Sequence, residues 1–213
     1  MPEILKENGY ENFKPIFHHA GYPARVGINC ALDTKPIAEI TGFKASTLKN
    51  LEYCKTYKTK PKTYKILSHS LGVNLPTLSL KFSSTRVCPR CVQEKGYIEA
   101  FYDLHLSVCC PTHRCKTISK CPSCEEPITW KRQGLNICQC GFDFRLATTS
   151  PANDSIIDLI SLVYSKLLNT NDISNDSKLP LKHIKEMSLL SLINLLSRLA
   201  LFDNNEAPKN IHT

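Results

Sequence analysis

Four close pairs of cysteine and histidine, all between residues 88 and 140, constrain the fold of this 213-residue chain more than any other feature. The pairs are Cys88 and Cys91, Cys110 and His113, Cys121 and Cys124, and Cys138 and Cys140. A gap of two residues lets a tight turn place two soft donors on one cation, and Cys138 and Cys140 form a shortened turn opened by Gly141. A structural Zn²⁺ takes four such ligands at about 2.0 to 2.3 Å. Four pairs therefore predict two structural zinc ions.

The sequence allows two ways of sharing the ions. Sequential pairing gives the first two pairs one ion and the last two pairs the other, whereas a RING-like cross-brace joins the first pair with the third and the second with the fourth. We favour sequential pairing, because seven residues separate His113 from Cys121, a longer gap than a RING has, and because the last pair is CxC. Cys109 and Cys115 flank the second pair and are interpreted as spectators. Disulfides are disfavoured, since the pairs are regular and no signal peptide indicates an oxidising compartment.

The ligand count argues against an enzyme. A catalytic zinc keeps one position open and normally has three protein ligands, whereas both sites here are filled by four. The zinc deaminase signature also needs HxE upstream of PCxxC. None of the seven histidines is followed two residues later by glutamate.

Residues 86 to 145 resemble the TniQ family, the transposon target-selection proteins of the TnsD and TniQ kind. The resemblance rests on RVCPRC at 86–91, VCCPTH at 108–113, CPSC at 121–124, Trp130 and CQCG at 138–141. The Gly-Glu-Ser-Leu segment with which the family usually begins is absent, and relatives are often longer at the C-terminus. The chain is therefore expected to be a short or truncated member.

The resemblance implies a function. It predicts a non-catalytic adaptor that links a target-recognition element, either target DNA or an RNA-guided Cascade-like CRISPR effector, to the AAA+ transposition ATPase. It also implies a homodimer. The alternatives are a stand-alone zinc-ribbon regulator that binds DNA, and a RING-like protein-interaction module.

The positive charge lies just before the cysteine pairs. Residues 36–87 carry nine basic and two acidic residues, a net charge of +7 out of +8 for the chain. This segment predicts a helix-turn-helix-like pair, with Ala38 where the two helices cross and Gly42 at the turn between them. Ser46 and Thr47 are expected to cap the second helix, and Leu48 and Leu51 to face the first. The lysines that suit phosphate contacts are Lys44, Lys49, Lys55, Lys58, Lys60 and Lys62, with Lys65 beyond them.

The predicted fold is mainly α with a small zinc-stabilised α+β module. We divide the chain into a helix-turn-helix-like region (1–83), a double zinc-finger module (84–147) and a C-terminal helical hairpin (148–213). A further short helix is expected from Ile66 through Leu71, and Trp130 is expected to pack over the second zinc site. His18 and His19 are read as surface or core histidines.

The C-terminal hairpin is expected to consist of two helices, the second of them unusually apolar. Asn153 or Asp154 is expected to cap its first helix, and Pro180 to open a second from Leu181 to Phe202. The second helix is apolar around most of its circumference, which predicts an interface with a second subunit or a partner around Leu189 to Leu199. No apolar run reaches the ~18 residues of a membrane span, so we expect a soluble cytoplasmic protein.

Overall fold

A computed structural model gives the architecture of the protein. It describes residues 14–22, 33–53, 63–72, 80, 84–130, 132, 134–170 and 181–203. Within these residues the chain is mostly helical, with two small two-stranded antiparallel sheets. No helix in these ranges is long and apolar enough to cross a membrane.

In the part of the chain that the structure describes, three short helices precede the first sheet: α1 (Lys14–His19), α2 (Thr34–Thr41) and α3 (Ala45–Asn50). The Asp33 side chain caps α2 by accepting from the backbone N–H of Lys35 at 3.2 Å. Gly42 ends α2 in the left-handed region at φ 71°, where a glycine has no steric penalty.

The second helix of the predicted pair differs from expectation. It is capped at Lys44 rather than at Ser46 and Thr47, and none of its six residues is buried. Leu51 is 58% exposed, so it does not face α2 as predicted. A glycine turn between two short helices is present, but its use as a DNA-reading helix-turn-helix stays a prediction.

The predicted helix over Ile66 to Leu71 is wrong, because this segment is a β-hairpin. Strand β1 (Tyr64–Ile66) pairs with β2 (His69–Gly72), with Ile66 opposite His69. The turn takes φ 49° at Leu67. Ile66 and Leu71 are both buried in the main core, and the His69 ring lies 2.9 Å from the Leu167 carbonyl oxygen. Tertiary packing therefore overrides a weak local helical pattern.

The cysteine-rich segment is built from short elements. Helix α4 (Pro89–Lys95) follows Cys88, and strands β3 (Cys109–Cys110) and β4 (Cys115–Lys116) form the second hairpin. Two 3₁₀ turns, Ala100–Asp103 and Phe144–Leu146, complete it. Single backbone bridges such as Val87 to Ile118 join the pieces. Because this segment contains so little regular secondary structure, its stability requires cross-links, which metal bound by the cysteine clusters can supply.

The C-terminal region contains α5 (Asp154–Leu168), α6 (Leu181–Glu186) and α7 (Leu189–Asp203). Asn153 caps α5 as expected, accepting from the Ser155 N–H at 2.9 Å. The single helix predicted from Leu181 to Phe202 is instead broken before Leu189. There the Ser188 hydroxyl accepts from the Ser191 N–H at 3.1 Å and begins α7 as a new helix.

The main core unites parts that the sequence suggested were separate. It includes Ile66 and Leu71 of the first hairpin, the cysteines Cys88, Cys91 and Cys110, and apolar residues of α5 and α7. Leu189, Leu192, Ile193 and Leu196 of α7 are buried within the chain. The apolar surface that predicted an interface on this helix is thus largely covered by α5 and the hairpin. The main core also crosses both predicted domain boundaries, and the division into three domains stays a prediction.

Candidate metal centre

The eight predicted ligands come together in two groups of four. One group is Cys88, Cys91, Cys110 and His113, and the other is Cys121, Cys124, Cys138 and Cys140. Within each group the donor atoms all lie within 4.8 Å of one another. This is the sequential pairing, so the cross-braced alternative is not the arrangement that the chain adopts.

The first group is assembled by a helix and a hairpin. Cys88 precedes α4, Pro89 occupies its first turn, and Cys91 follows within that turn. Cys110 ends β3, and the connection to β4 brings His113 back to it. The His113 N–H donates to the Cys110 sulfur at 3.2 Å. Local geometry therefore presents both pairs to one point in space.

Distances in the first group fit one zinc ion. Tetrahedral ligands at about 2.3 Å (sulfur) and 2.0 Å (nitrogen) lie about 3.8 Å apart for two sulfurs and about 3.5 Å apart for a sulfur and a nitrogen. The Cys91 and Cys110 sulfurs are 3.5 Å apart. The His113 Nδ1 lies 3.5, 3.3 and 3.4 Å from the sulfurs of Cys88, Cys91 and Cys110. Nδ1 is thus the nitrogen available to a metal.

Two residues outside the predicted set support the first group. The Glu94 Oε1 lies 2.8 Å from His113 Nε2, which fixes the ring with Nδ1 toward the sulfurs. The Tyr102 hydroxyl lies 3.2 Å from the sulfurs of both Cys91 and Cys110. Burial raises the pKa of Tyr102 above its usual range, so its proton is available to a thiolate. Glu94 lies three residues after Cys91 on α4, a spacing from which it could have been found.

The second group lies nearer the surface. Cys121 and Cys124 flank a turn that closes at Glu125, and Cys138 and Cys140 flank a turn closed by Gly141 at φ 88°. The sulfurs of Cys121 and Cys140 are 3.7 Å apart, as are those of Cys124 and Cys138. Both values match two thiolates on one zinc. Cys140 is exposed and Cys121 is buried, so this site has one open side.

The thiol pKa values follow from crowding. Hydrogen bonding between Cys88 and Cys110 lowers the pKa of Cys110 below its usual range and raises that of Cys88. Hydrogen bonding with Cys110 also raises the pKa of Cys91 to about 11. In the second group, the backbone N–H of Phe142 lowers the pKa of Cys140 to about 7. Crowded thiolates cannot all ionise without a nearby cation, and a divalent metal removes that conflict.

The two cysteines read as spectators are both buried. Cys109 precedes Cys110 in β3 and belongs to the main core, and burial raises its pKa to about 12. Cys115 lies opposite Cys110 in the hairpin, with its sulfur 3.8 Å from that of Cys88. It contacts one corner of the first group without belonging to the set of four.

The predicted phosphate-binding lysines are only partly described by the structure. Lys44 and Lys49 are exposed at the two ends of α3. Lys65 is 6% exposed, and its ammonium donates to the Lys49 carbonyl oxygen, so it serves the fold rather than a phosphate. The remaining four, Lys55, Lys58, Lys60 and Lys62, lie outside the described residues.

Trp130 does not pack over the second metal site as predicted. Its indole N–H donates to Asp103 Oδ1 at 3.1 Å, and Tyr53 donates its hydroxyl to Oδ2 of the same carboxylate. Asp103 is 5% exposed. Sequence reasoning missed this buried acid, although a lone aspartate inside the apolar run from Phe101 to Leu106 is a signal that could have found it.

The fold and the two clusters define a mostly helical protein with small sheets and two groups of four ligands that could bind metal. The model of the TniQ family matches residues 11–116, about half of the chain, and the protein belongs to that family. No significant match to a curated protein was found. TniQ proteins are non-catalytic adaptors that work with the transposition machinery, so membership implies a transposition-associated role in target selection.

Proposed function

We propose that this protein is a target-selection adaptor that joins a target-recognition element to the AAA+ transposition ATPase. The observation that carries the proposal is the family match over residues 11–116, which includes both pairs of the first cysteine cluster. The recognition element is either target DNA or an RNA-guided effector of the Cascade type. The ATPase then recruits the transposase, and the adaptor itself performs no chemistry.

The two clusters would hold one structural zinc each. Cys88, Cys91, Cys110 and His113 would bind the first ion, and Cys121, Cys124, Cys138 and Cys140 the second. Four protein donors leave no position for a substrate or a water, which supports a structural rather than a catalytic ion. Zinc in such a site contributes its binding energy to folding.

The zinc-bound module would position the surfaces that meet partners. Lys44 and Lys49 stand exposed on α3, and Lys55, Lys58, Lys60 and Lys62 are proposed to continue the same basic surface. Lysines suit phosphates as point charges without reading base edges, so the nucleic-acid contact would be weak in sequence preference. We also propose a homodimer. Its interface would lie outside the covered face of α7, whose apolar residues are used within the chain.

A reconstituted pull-down tests the proposal. Zinc-loaded protein is mixed with the candidate ATPase and the candidate effector, separately and together, with and without target DNA. Retention of both partners by one protein supports the adaptor. The matched control carries Cys91→Ser and Cys121→Ser, which should lose both partners together with both ions.

The stand-alone regulator is the alternative, favoured by the exposed lysines of α3. It predicts DNA binding of full strength with no retention of the ATPase under any condition. That result would reject the adaptor. Retention of the ATPase with no DNA or effector present would instead indicate that the protein and the ATPase form a complex before the target is recognised.

A further inference from the structure

A cavity of about 520 Å³ opens beside Trp130 where several parts of the chain meet. Its walls come from the end of α3, the first hairpin, the segment from Tyr97 to Asp103, and the C-terminal turn of α5. A volume between about 300 and 1,000 Å³ with mostly apolar walls and a few convergent polar groups is typical of a ligand site.

The described lining includes five aromatic rings: Tyr53, Tyr97, Phe101, Trp130 and Tyr164. Its rim is unusually apolar for a surface. Leu51, Tyr97 and Leu168 are 58%, 48% and 40% exposed, and all three belong to the lining. Exposed apolar side chains that gather around a concave site mark a place where another molecule binds.

The charged side chains among the described lining residues are acidic. Among the described residues, the lining contains the carboxylates of Glu99 and Asp103 and no lysine or arginine, in a chain whose net charge is +8. The cavity is therefore separate in chemistry from the basic surface of α3.

Asp103 at the cavity wall is held by hydrogen bonds rather than by a direct ion pair. Its two oxygens accept from Trp130 and Tyr53, and it is 5% exposed. Within the described part of the chain no lysine or arginine lies within ion-pair distance of it. The Arg132 guanidinium stacks on the Trp130 ring, 4.9 Å from its centroid, and its charge acts on the Asp103 carboxylate electrostatically without a direct ion pair.

A buried carboxylate is costly to desolvate, and a cation that enters the cavity beside Asp103 would add to the compensation that the Arg132 charge provides. Glu99 differs, since its Oε1 already accepts from Lys95 at 3.0 Å and from Tyr164 at 3.1 Å. Burial also raises the pKa of Asp103 to about 6, so the carboxylate is mostly ionised at neutral pH.

We infer that this cavity binds an arginine side chain presented by a partner protein. Both the charged head and the aliphatic arm of an arginine side chain match the lining of the cavity. Its planar guanidinium stacks on aromatic rings and pairs with carboxylates, while its aliphatic arm packs along apolar walls. Arginine, tyrosine and tryptophan are also the residues that dominate binding energy at protein interfaces. The site is additional to the proposed adaptor role and does not depend on it.

Trp130 is the only tryptophan in the chain, so its fluorescence reports on the cavity without interference. The probe is the peptide acetyl-Leu-Arg-Leu-amide, titrated into the zinc-loaded protein. Its matched control replaces arginine by citrulline, which has the same shape without the charge. We expect a saturable change in Trp130 emission with the arginine peptide, and at least tenfold weaker binding of the citrulline peptide.

Variants locate the site. Asp103→Asn and, separately, Tyr97→Ala should each weaken the arginine peptide several-fold, with zinc content and circular dichroism confirming the fold. Tyr97 is half exposed, so its variant keeps the test valid if Asp103→Asn fails to fold. Glu126→Gln removes one charge at an exposed position outside the cavity and should leave binding unchanged.

Three results would overturn the inference. They are equal binding of the citrulline peptide, an equal effect of Glu126→Gln and Tyr97→Ala, and tighter binding of the small polyamine spermidine than of the arginine peptide. The last result would make the cavity a site for a small cation rather than for a protein. None of these measurements uses a transposition component, so their failure leaves the adaptor proposal untouched.

Discussion

His113 and Glu94 form a pair in which the histidine ring has a fixed direction. Its Nε2 lies 2.8 Å from the Glu94 carboxylate, while its Nδ1 faces three sulfurs at 3.3 to 3.5 Å. A carboxylate behind a ligating histidine fixes the tautomer and raises the basicity of the ligating nitrogen. The first metal site therefore extends beyond its four ligands.

Glu94→Ala should weaken zinc binding at the first site by about 10- to 100-fold, the usual effect of losing such a partner. Competition with a chromophoric chelator measures the affinity. Gln93→Ala, at an exposed neighbouring position of α4, is the matched control and should have no effect. Equal affinities for the two variants would mean that Glu94 is only a surface residue.

The two metal sites should differ in what they hold together. The first group belongs to the main core with α5 and α7, whereas the second belongs to a smaller core around Phe144. Cys91→Ser should therefore reduce zinc from two ions to one and expose the amides of α5 and α7 to hydrogen exchange. Cys121→Ser should also leave one ion, with faster exchange confined to residues around 120–146. Identical exchange in the two variants would contradict this division.

The exposed lysines of α3 should act differently from Lys65. Replacing Lys44 and Lys49 by alanine should weaken nucleic-acid binding alike for all sequences and flatten its salt dependence by roughly 0.9 log unit per lost phosphate contact. Lys65→Ala should instead lower the free energy of unfolding, because its buried ammonium bonds the Lys49 carbonyl. Filter binding across salt concentrations, beside chemical denaturation, separates the two effects. An unchanged salt slope in the double variant would leave these lysines as a solvated face.

Leu192 and Leu199 on α7 should report on packing and on assembly, respectively. Leu192 is fully buried, so Leu192→Ala should cost about 2 to 5 kcal/mol of unfolding free energy. Leu199 is 54% exposed, and Leu199→Ala should change stability by at most about 0.5 kcal/mol. Denaturation measures the first effect. If sedimentation shows a dimer that Leu199→Asp dissociates, the exposed end of α7 is the proposed interface, and a dimer unaffected by this change places the interface elsewhere.

Asp103 should make stability depend on pH in a known direction. Burial raises its pKa from 3.8 to about 6, so between these values the folded protein holds a proton that the unfolded chain has released. Stability from this group is therefore fully present at low pH and falls as pH rises through about 6. Relative to Asp103→Asn, the zinc-saturated wild type should lose roughly 1.4 kcal/mol between pH 5 and pH 7.5. A constant difference over that range would show that Asp103 titrates normally.

Much of the metal centre was predictable because its information is local. Spacing of two residues fixes how each pair turns, and the long gap after His113 was enough to favour sequential pairing. The cap at Asn153 and the end of α2 at Gly42 were also predictable, since a cap needs only its own side chain or its own φ. The sequence also showed the basic segment before Cys88, but it could not predict which of its lysines would be exposed and which, like Lys65, would be buried.

Contacts between residues distant in the sequence became visible only in the folded chain. Ile66 to Leu71 became a hairpin, and α7 found cover for its apolar face, because both segments pack into one core with α5. Asp103, Tyr53 and Trp130 lie up to 77 residues apart in the sequence and meet only through the folded chain. The metal ligands and the local turns follow from the order of the amino acids alone, because their energies are set by neighbours along the chain. The cavity and the core were decided by the folded structure, because burial and pairing depend on which distant surfaces come together.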